Sequence, residues 1–455
     1  MLAISEDRVG GALAGMLATL RRHAVLLRNS TAMFLGAAGA SVLGVAFWWV
    51  AARGFPPDEV GTGAALIAVM GLLGLFGEIG LGTVLLGAPP AARRGGLVAA
   101  ALLAACGASA LLGIGFLGIG LTWPRLLQGL DGFDSKGLLL VLGTALTGVT
   151  LAADQALIGR LQAELQLLRN LANSVTKLAA LAAAAAAGAT DGALILLSCW
   201  VLGQAGSLLL VGALAARRDA VGGAKPDFSL LRSVLGRGVE HHALNIAAQA
   251  PTIVFPFLVA VLFSPAVNAA FYPAWAVVHA VTLFPAALTT VLYRVGTEEP
   301  HRLSHRLSFS LRLSALFSLA AAAGLFLLSR HILGFFNPAY PDLAGSGLAM
   351  LGFGIASLAV RQHYLALMRL RNRMRQAAVQ FALWSAAEIG AACLGAGLGG
   401  LDGFVIGWLL AISAQAAAML PALLSAMRRH GEDAAGVLPP GFQAPTPSGR
   451  GADAG

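Results

Sequence analysis

Runs of about 20 apolar residues, the length that crosses a ~30 Å hydrocarbon core as a helix, recur along almost the whole of this 455-residue chain. That repetition constrains the fold more than any motif does. Hydrophobic residues make up 58% of the sequence and charged residues 11%, with a mean hydropathy of +0.79. These values lie far from those of an average soluble domain. Between the runs the interior connections are short, and no soluble domain is left over. The expectation is an all-α, polytopic membrane protein.

Twelve spans are expected, at residues 30–52, 60–87, 96–122, 137–158, 171–189, 192–215, 239–263, 266–292, 309–329, 343–368, 377–397 and 403–427. Residues 1–29 read as a basic tail with an interfacial helix around 13–27. Residues 428–455, rich in Gly, Ala and Pro, read as a disordered tail. The distribution of basic residues tests the count. With both termini in the cytoplasm, only Arg53, Arg125, Lys136 and Arg330 fall in outer loops, and Lys177, Arg312 and Arg361 fall within spans. All the others of the 30 lysines and arginines lie on the inner side. The net charge of +9 is therefore a topology signal, and a nucleic-acid partner is not expected. The basic loop 216–238 divides the chain into bundles 30–215 and 239–427, which would have the same orientation.

Cys106, Cys199 and Cys393 each sit inside an apolar run without CxxC spacing and read as small core residues. Arg21 and Arg22 follow the first apolar patch, which argues against a cleavable signal peptide. No metal-like spacing occurs, and no cofactor is implied. There is no GxxxxGK[ST] loop, so any transport energy has to come from a gradient, the membrane potential or consumption of product.

The polar residues inside spans carry the functional expectation, because a charge there is costly. In the stretch RGVEHHALNIAAQAPTIVFP, residues 237–256, His241, Asn245, Gln249 and Thr252 fall within about 80° on a helical wheel. Such a stripe suits a cavity wall or a neighbouring helix. Pro251 and Pro256 then interrupt the helix and make it a candidate hinge. Glu78, Lys177 and Glu240 lie within about two turns of the inner face, where they either snorkel or function. Arg361, with His363, lies in the inner third of its span; its five donors suit a phosphate, or it forms an ion pair. Asp154 lies at a similar depth in the other half. Glu388 is near mid-membrane, where it either carries a proton in a transport cycle or neutralises Arg361. Glu78 and Glu240 are further candidates for proton coupling.

Two stretches resemble a known family. AARGFPPDEVGTGAALIAVMGLLGLFGEIGLGTVLLG, residues 51–87, resembles the first hairpin of polysaccharide-lipid flippases (O-antigen or teichoic-acid type) of the multidrug/oligosaccharidyl-lipid/polysaccharide (MOP) exporter superfamily. There a short AR-x-x-(S/G)-P-E-x-(F/V)-G turn joins the first two spans, matched here by Arg53, Pro57, Glu59, Val60 and Gly61. A GL-G-T-x-L run follows, matched by Gly80 to Leu85. The stretch 334–380 is similar to the family's G-x-x-Y-x-x-A approach to the tenth span, carried by Tyr340 and Ala344. The resemblance implies two six-helix bundles in a V around a central cavity, as in MATE transporters, and transport by alternating access. The implied cargo is a polyprenyl-diphosphate-linked oligosaccharide moved across a prokaryotic cytoplasmic membrane. Partners implied are membrane lipids and a glycan polymerase or glycosyltransferase.

Two other readings compete. A MATE-type multidrug exporter would use Glu388 and Asp154 to bind cations. An integral membrane polymerase or glycosyltransferase would need a large external loop or a loop carboxylate cluster, and outer acidic residues here are sparse. Apart from histidines, the spans hold three basic and four acidic residues, less cationic than a diphosphate carrier suggests.

Overall fold

The computed structural model describes residues 24–87, 95–123, 132–160, 162–217, 225–298 and 303–428. It omits the side chains of 24–38, 237, 239–241, 294–295, 297–298 and 347–348. Both terminal tails expected at 1–29 and 428–455 fall almost wholly outside the described residues. The described chain is helical, with no strand. Its first half comprises α1 (Ala24–Gly54), α2 (Pro57–Gly77), α3 (Leu81–Gly87), α4 (Gly95–Thr122), α5 (Ser135–Gly159), α6 (Ala163–Ala186) and α7 (Gly192–Arg217). The second comprises α8 (Phe228–Leu262), α9 (Pro265–Val281), α10 (Leu283–Glu298), α11 (Leu303–Phe336), α12 (Tyr340–Ala344), α13 (Gly347–Met350) and α14 (Gly354–Leu370). The last stretch, Met374–Arg428, reverses at Gly399 and Gly400, the latter at φ 60°. This makes two antiparallel helices, α15 before the turn and α16 after it.

Eight described helical stretches are long and apolar enough to cross a bilayer, so the chain is a multi-pass membrane protein. Neither α6 nor α14 is among them. These two carry Arg169 and Lys177, and Arg361 and His363, respectively. Arg169, Lys177, Arg361 and His363 are each buried, so their polar groups meet protein rather than lipid.

Several boundaries differ from expectation, each for a local reason. The span expected at 60–87 breaks into α2 and α3 at Ile79 (φ 51°) and Gly80 (φ 79°). A β-branched residue at positive φ is strained. The Glu78 carboxylate holds the break, accepting from the amide of Gly80 at 3.0 Å and from that of Gly82. The span expected at 171 begins at Ala163, which moves Arg169 from a loop into the bundle. The loop expected at 216–238 is helical from Phe228. Its Leu230, Leu231, Val234 and Leu235 form an apolar stripe that packs on Leu81, Leu85 and Leu97. Asp227 caps this helix by accepting from the Leu230 amide at 2.9 Å, a bond that holds its carboxyl below the usual carboxylate range.

Six spans in each half make two bundles. Where Arg53 lies (the Arg53 end), they share one core: Phe47, Leu66 and Met70 pack in the same cluster as Phe255, Phe271 and Trp408. Towards the opposite end, marked by Arg369, the core divides. One cluster there belongs to the second half, around Leu307, Tyr364 and Phe381, and another to the first, around Leu81, Leu97 and Ala105. Only α8 contributes to both, through Leu231 and Leu244. It is a strut from one bundle into the other.

Close backbone approach seals the Arg53 end. The Asn268 amide donates to the Gly61 carbonyl at 2.9 Å, Asn337 to that of Ala52 at 2.6 Å, and Trp49 to that of Phe335 at 3.1 Å. Arg53 donates to the Phe335 carbonyl as well, at 2.9 Å. At Gly61 a Cβ would stand 1.6 Å from the Pro265 carbonyl oxygen, so α2 and α9 can meet only over glycine. Gly61→Ala is expected to wedge this seam open at a cost of about 1–3 kcal/mol. The check is disulfide cross-linking between Ala52→Cys and Asn337→Cys, which should fall in the Gly61→Ala background and persist in its absence.

Candidate functional site

Each bundle buries a bidentate or bridged arginine–carboxylate pair. In the first, Asp154 on α5 receives Arg169 on α6, Nε to Oδ1 at 2.5 Å and Nη2 to Oδ2 at 2.7 Å. Asn170 accepts a further bond from Nη2 at 2.5 Å. Arg169 is buried, and its Nη1 has no hydrogen-bond partner. About two turns along the same helix, Lys177 sets its ammonium 3.7 Å from the Trp200 ring centroid and 5.3 Å from that of Phe47. No carboxylate pairs with it among the described residues. Two aromatic faces supply the stabilising charge distribution instead.

In the second bundle, Arg361 on α14 donates to Glu388 on α15 at 3.2 Å, and Trp408 on α16 donates its Nε1 proton to the other carboxylate oxygen at 3.1 Å. Of the two roles open to Glu388 from the sequence, the geometry displays the ion pair. The Trp408 ring meets Trp275 edge-on at 5.0 Å, and Trp275 meets the His279 ring at 4.6 Å. His279 in turn lines a cleft of about 300 Å³ between α1 and α9, together with Ser41, Val45, Trp48, Tyr272 and Pro273. Two indoles thus connect the cleft to the buried charge pair. His279 Nε2 is buried and has no partner, which leaves a polar atom beside the cleft for a ligand to meet.

The other expected site residues are dispersed. His363 faces α11, where its Nε2 bonds Ser310 at 2.8 Å, and its Nδ1 donates to the Ala359 carbonyl at 2.8 Å. Its ring is satisfied and does not join Arg361. Glu78 pairs across the bundles with His242 on α8, Oε2 to Nδ1 at 2.8 Å, with both side chains buried. Snorkelling does not describe it. On the polar stripe of α8, Asn245 is half-buried and Gln249 exposed. The side chains of Glu240 and His241 lie outside the described residues. Among the described residues no group of three or more His, Cys, Asp or Glu is placed to hold a metal.

Pro251 and Pro256 lie buried within a continuous α8. A proline at position i leaves the carbonyl at i−4 without its helical donor. Both orphaned carbonyls have found side chains on other helices. Ala247 O accepts from the Ser385 hydroxyl on α15, and Thr252 O accepts from Trp275 Nε1 on α9 at 2.9 Å. Buried prolines in membrane helices are tolerated through such substitutes. The two prolines stand between the part of α8 that meets the first bundle through Leu231 and His242 and the second bundle's core through Leu244, and the part whose Phe255 and Val259 lie in the core shared by both bundles.

Sequence reasoning did not single out Arg169, His242, Ser385, Trp275 or Trp408 as a group. A signal was present for two of them. An indole N–H inside a span needs an acceptor, and the carbonyls four residues before Pro251 and Pro256 need donors.

No protein-family profile matches the sequence, and no curated protein does either. Solved structures do match in fold. An inward-facing multidrug-resistance MATE transporter of the MOP superfamily is 15% identical and superposes with a TM-score of 0.64, over 87% of this chain and 96% of that one. An outward-facing MATE transporter of the same superfamily is 17% identical, at a TM-score of 0.55 over 89% and 96%. A MATE protein in complex with MaL6 is 16% identical, at 0.57 over 89% and 97%. The chain has the MATE fold of two six-helix bundles.

Proposed function

We propose that this chain is a flippase for a lipid-linked saccharide, such as a polyprenyl-(di)phosphate oligosaccharide, in a prokaryotic cytoplasmic membrane. The cleft between α1 and α9 carries the proposal. A cargo with a polar head and a long lipid tail has to keep the tail in the bilayer while the head passes between bundles. An opening on the flank of the bundles suits that need. This one has apolar walls at Val45 and Leu283, the Trp48–Tyr272 ring pair at 4.4 Å, and His279 at its inner end. Aromatic faces with polar edges suit sugar rings.

Sidedness follows from the basic loops, with both termini cytoplasmic. The sealed Arg53 end is then extracellular, and the end where the core divides faces the cytoplasm. That arrangement is the loading state of an alternating-access cycle. The translocating step would break the Asn268–Gly61, Asn337–Ala52 and Arg53–Phe335 contacts and close the opposite end, and the return step would re-form them. A glycan polymerase or glycosyltransferase would use the product.

A multidrug exporter is the second reading, favoured by the fold of the MATE structures. Asp154 and Glu388 count against it, because each is bonded to an arginine within its own bundle. A cationic drug would have to displace that arginine. The deciding experiment is a deletion strain assayed for lipid-linked oligosaccharide, surface glycan and cationic-drug sensitivity. Precursor trapped at the inner leaflet with surface polymer lost is the expected result. Unchanged glycan with new drug sensitivity would move the protein to the exporter class.

A further inference from the structure

Among the described residues, the first bundle buries one positive charge that no carboxylate balances. Asp154 and Arg169 neutralise each other. Lys177, 6% exposed, sets its ammonium against the Trp200 and Phe47 rings alone. The other charges of α6, and of α1, α5 and α7 packed on it, are engaged or distant. Lys136 pairs with Asp191, and Arg53 donates to the Phe335 carbonyl. Arg28, Arg160, Glu164 and Arg217 lie towards the opposite helix ends, each about 20 Å or more away at 1.5 Å per residue. Cys199, next to Trp200, is the other titratable group at this level.

A polar row leads to the amine. Gln166, Arg169 and Asn173 recur every three or four residues on the face of α6 that carries Lys177, and Gln162 caps the same helix. Each keeps a buried side-chain atom without a partner: Oε1 of both glutamines, Nη1 of Arg169 and Oδ1 of Asn173. Gln204 Oε1 on α7 is another. It adjoins Gly203, where a Cβ would stand 2.6 Å from Asn173 Oδ1 and 3.2 Å from Lys177 Cβ. Polar atoms about one turn apart are beyond each other's reach but within reach of a shared water, the usual partner of such buried groups. One turn past Lys177 the face is apolar, with Leu181 fully buried in the core that holds Phe47. Ala185 packs at Gly54, so α6 ends at the Arg53 end and the row runs in from the opposite one.

We propose that Lys177 is a proton-binding site, loaded and unloaded through this row from the end opposite Arg53. The proton passes by way of water between the bulk and the Nζ lone pair, so the group alternates between ammonium and neutral amine. Only the ammonium is attracted by the ring faces. Phe47 meets Trp48 edge-on at 5.3 Å, and Trp49, Ala52 and Arg53 of the same helix hold the seal on Phe335 and Asn337. The charge on Lys177 therefore sets how firmly α1 is held, and with it the seal. The site lies apart from the cleft and acts without cargo, so it stands or falls independently of the saccharide reading.

The test is the distance between spin labels at Asp58→Cys and Ala339→Cys, across the seam, in full-length protein whose native cysteines are replaced by alanine. It is measured between about pH 6 and pH 10, up to the range where lysine ordinarily loses its proton. In the parent the ratio of sealed to open populations is expected to fall about five-fold as pH rises. Lys177→Arg, charged throughout, should stay sealed at every pH. Lys177→Met should show the open-shifted ratio at every pH. Asn173→Leu, which interrupts the row, should slow the response in samples frozen after a pH jump and leave its end points unchanged. Thermal melting is the folding control, and Lys177→Arg carries the test if Lys177→Met does not fold. A parent without pH response, or a response kept in either Lys177 variant, overturns the proton site. An unchanged rate in Asn173→Leu overturns the row as its route.

Discussion

Arg361→Met is expected to lower stability by about 3–5 kcal/mol, the range for a buried ion pair that loses one partner. The reason is the carboxylate left behind. The Glu388 side chain is 1% exposed, and its partners are Arg361 and the Trp408 indole. Removing the guanidinium strands a charge that the single remaining hydrogen bond cannot stabilise. Arg361→Met combined with Glu388→Gln should recover most of the loss, because both charges are gone and glutamine still accepts from Trp408. Thermal unfolding in detergent measures this half of the prediction. Transport measures the other half: the double variant is expected to fold and to be inactive. A charge pair kept in the second bundle, linked through Trp408 and Trp275 to the cleft, then serves the cycle. A double variant that folds and transports like the parent would make the pair a structural device.

The second large effect is at the α8 prolines. Trp275→Phe should cost about 1–3 kcal/mol, because the Thr252 carbonyl freed by Pro256 loses its donor while still buried. In a Pro256→Ala background the same substitution should cost only its packing difference, since residue 256 then donates to Thr252 in the ordinary helical way. Ser385→Ala and Pro251→Ala form the matching pair through the Ala247 carbonyl. Unfolding measured on all four corners of each cycle gives the coupling directly. Additive effects in both cycles would mean that these side chains do not substitute for the missing helix bonds. Pro256→Ala is also expected to reduce transport more than expression. It restores a helical hydrogen bond in the strut between the grip on Leu81 and Glu78 and the packing of Phe255 with Trp275 and Trp408. Equal losses of transport and expression would assign the prolines a static packing role.

Much of the architecture was legible residue by residue. Apolar run length revealed helices in a membrane, because a backbone in lipid has to bond to itself locally. The basic loops ordered twelve spans, and the described helices follow that order as six and six. Local chemistry misled where it was read without its neighbours. Residues 228–238 are too polar to span, and they form an amphipathic helix because Leu81 and Leu97 are there to receive it. Arg169 looked like a loop residue until Asp154 stood opposite it.

The sequence by itself determined the class: helices, a bilayer, two similar halves and a small set of buried ionisable groups that had to be satisfied somehow. Hydropathy and charge alternation are sums over near neighbours, and the chain displays them without folding. Only the tertiary structure decided who satisfies whom. Asp154 took Arg169, Glu388 took Arg361 and Trp408, Glu78 took His242 across the bundles, and Trp275 took a carbonyl that Pro256 had freed. Each choice depends on the register and rotation of one helix against another. An ion pair or hydrogen bond at about 3 Å is lost by a shift of a single turn.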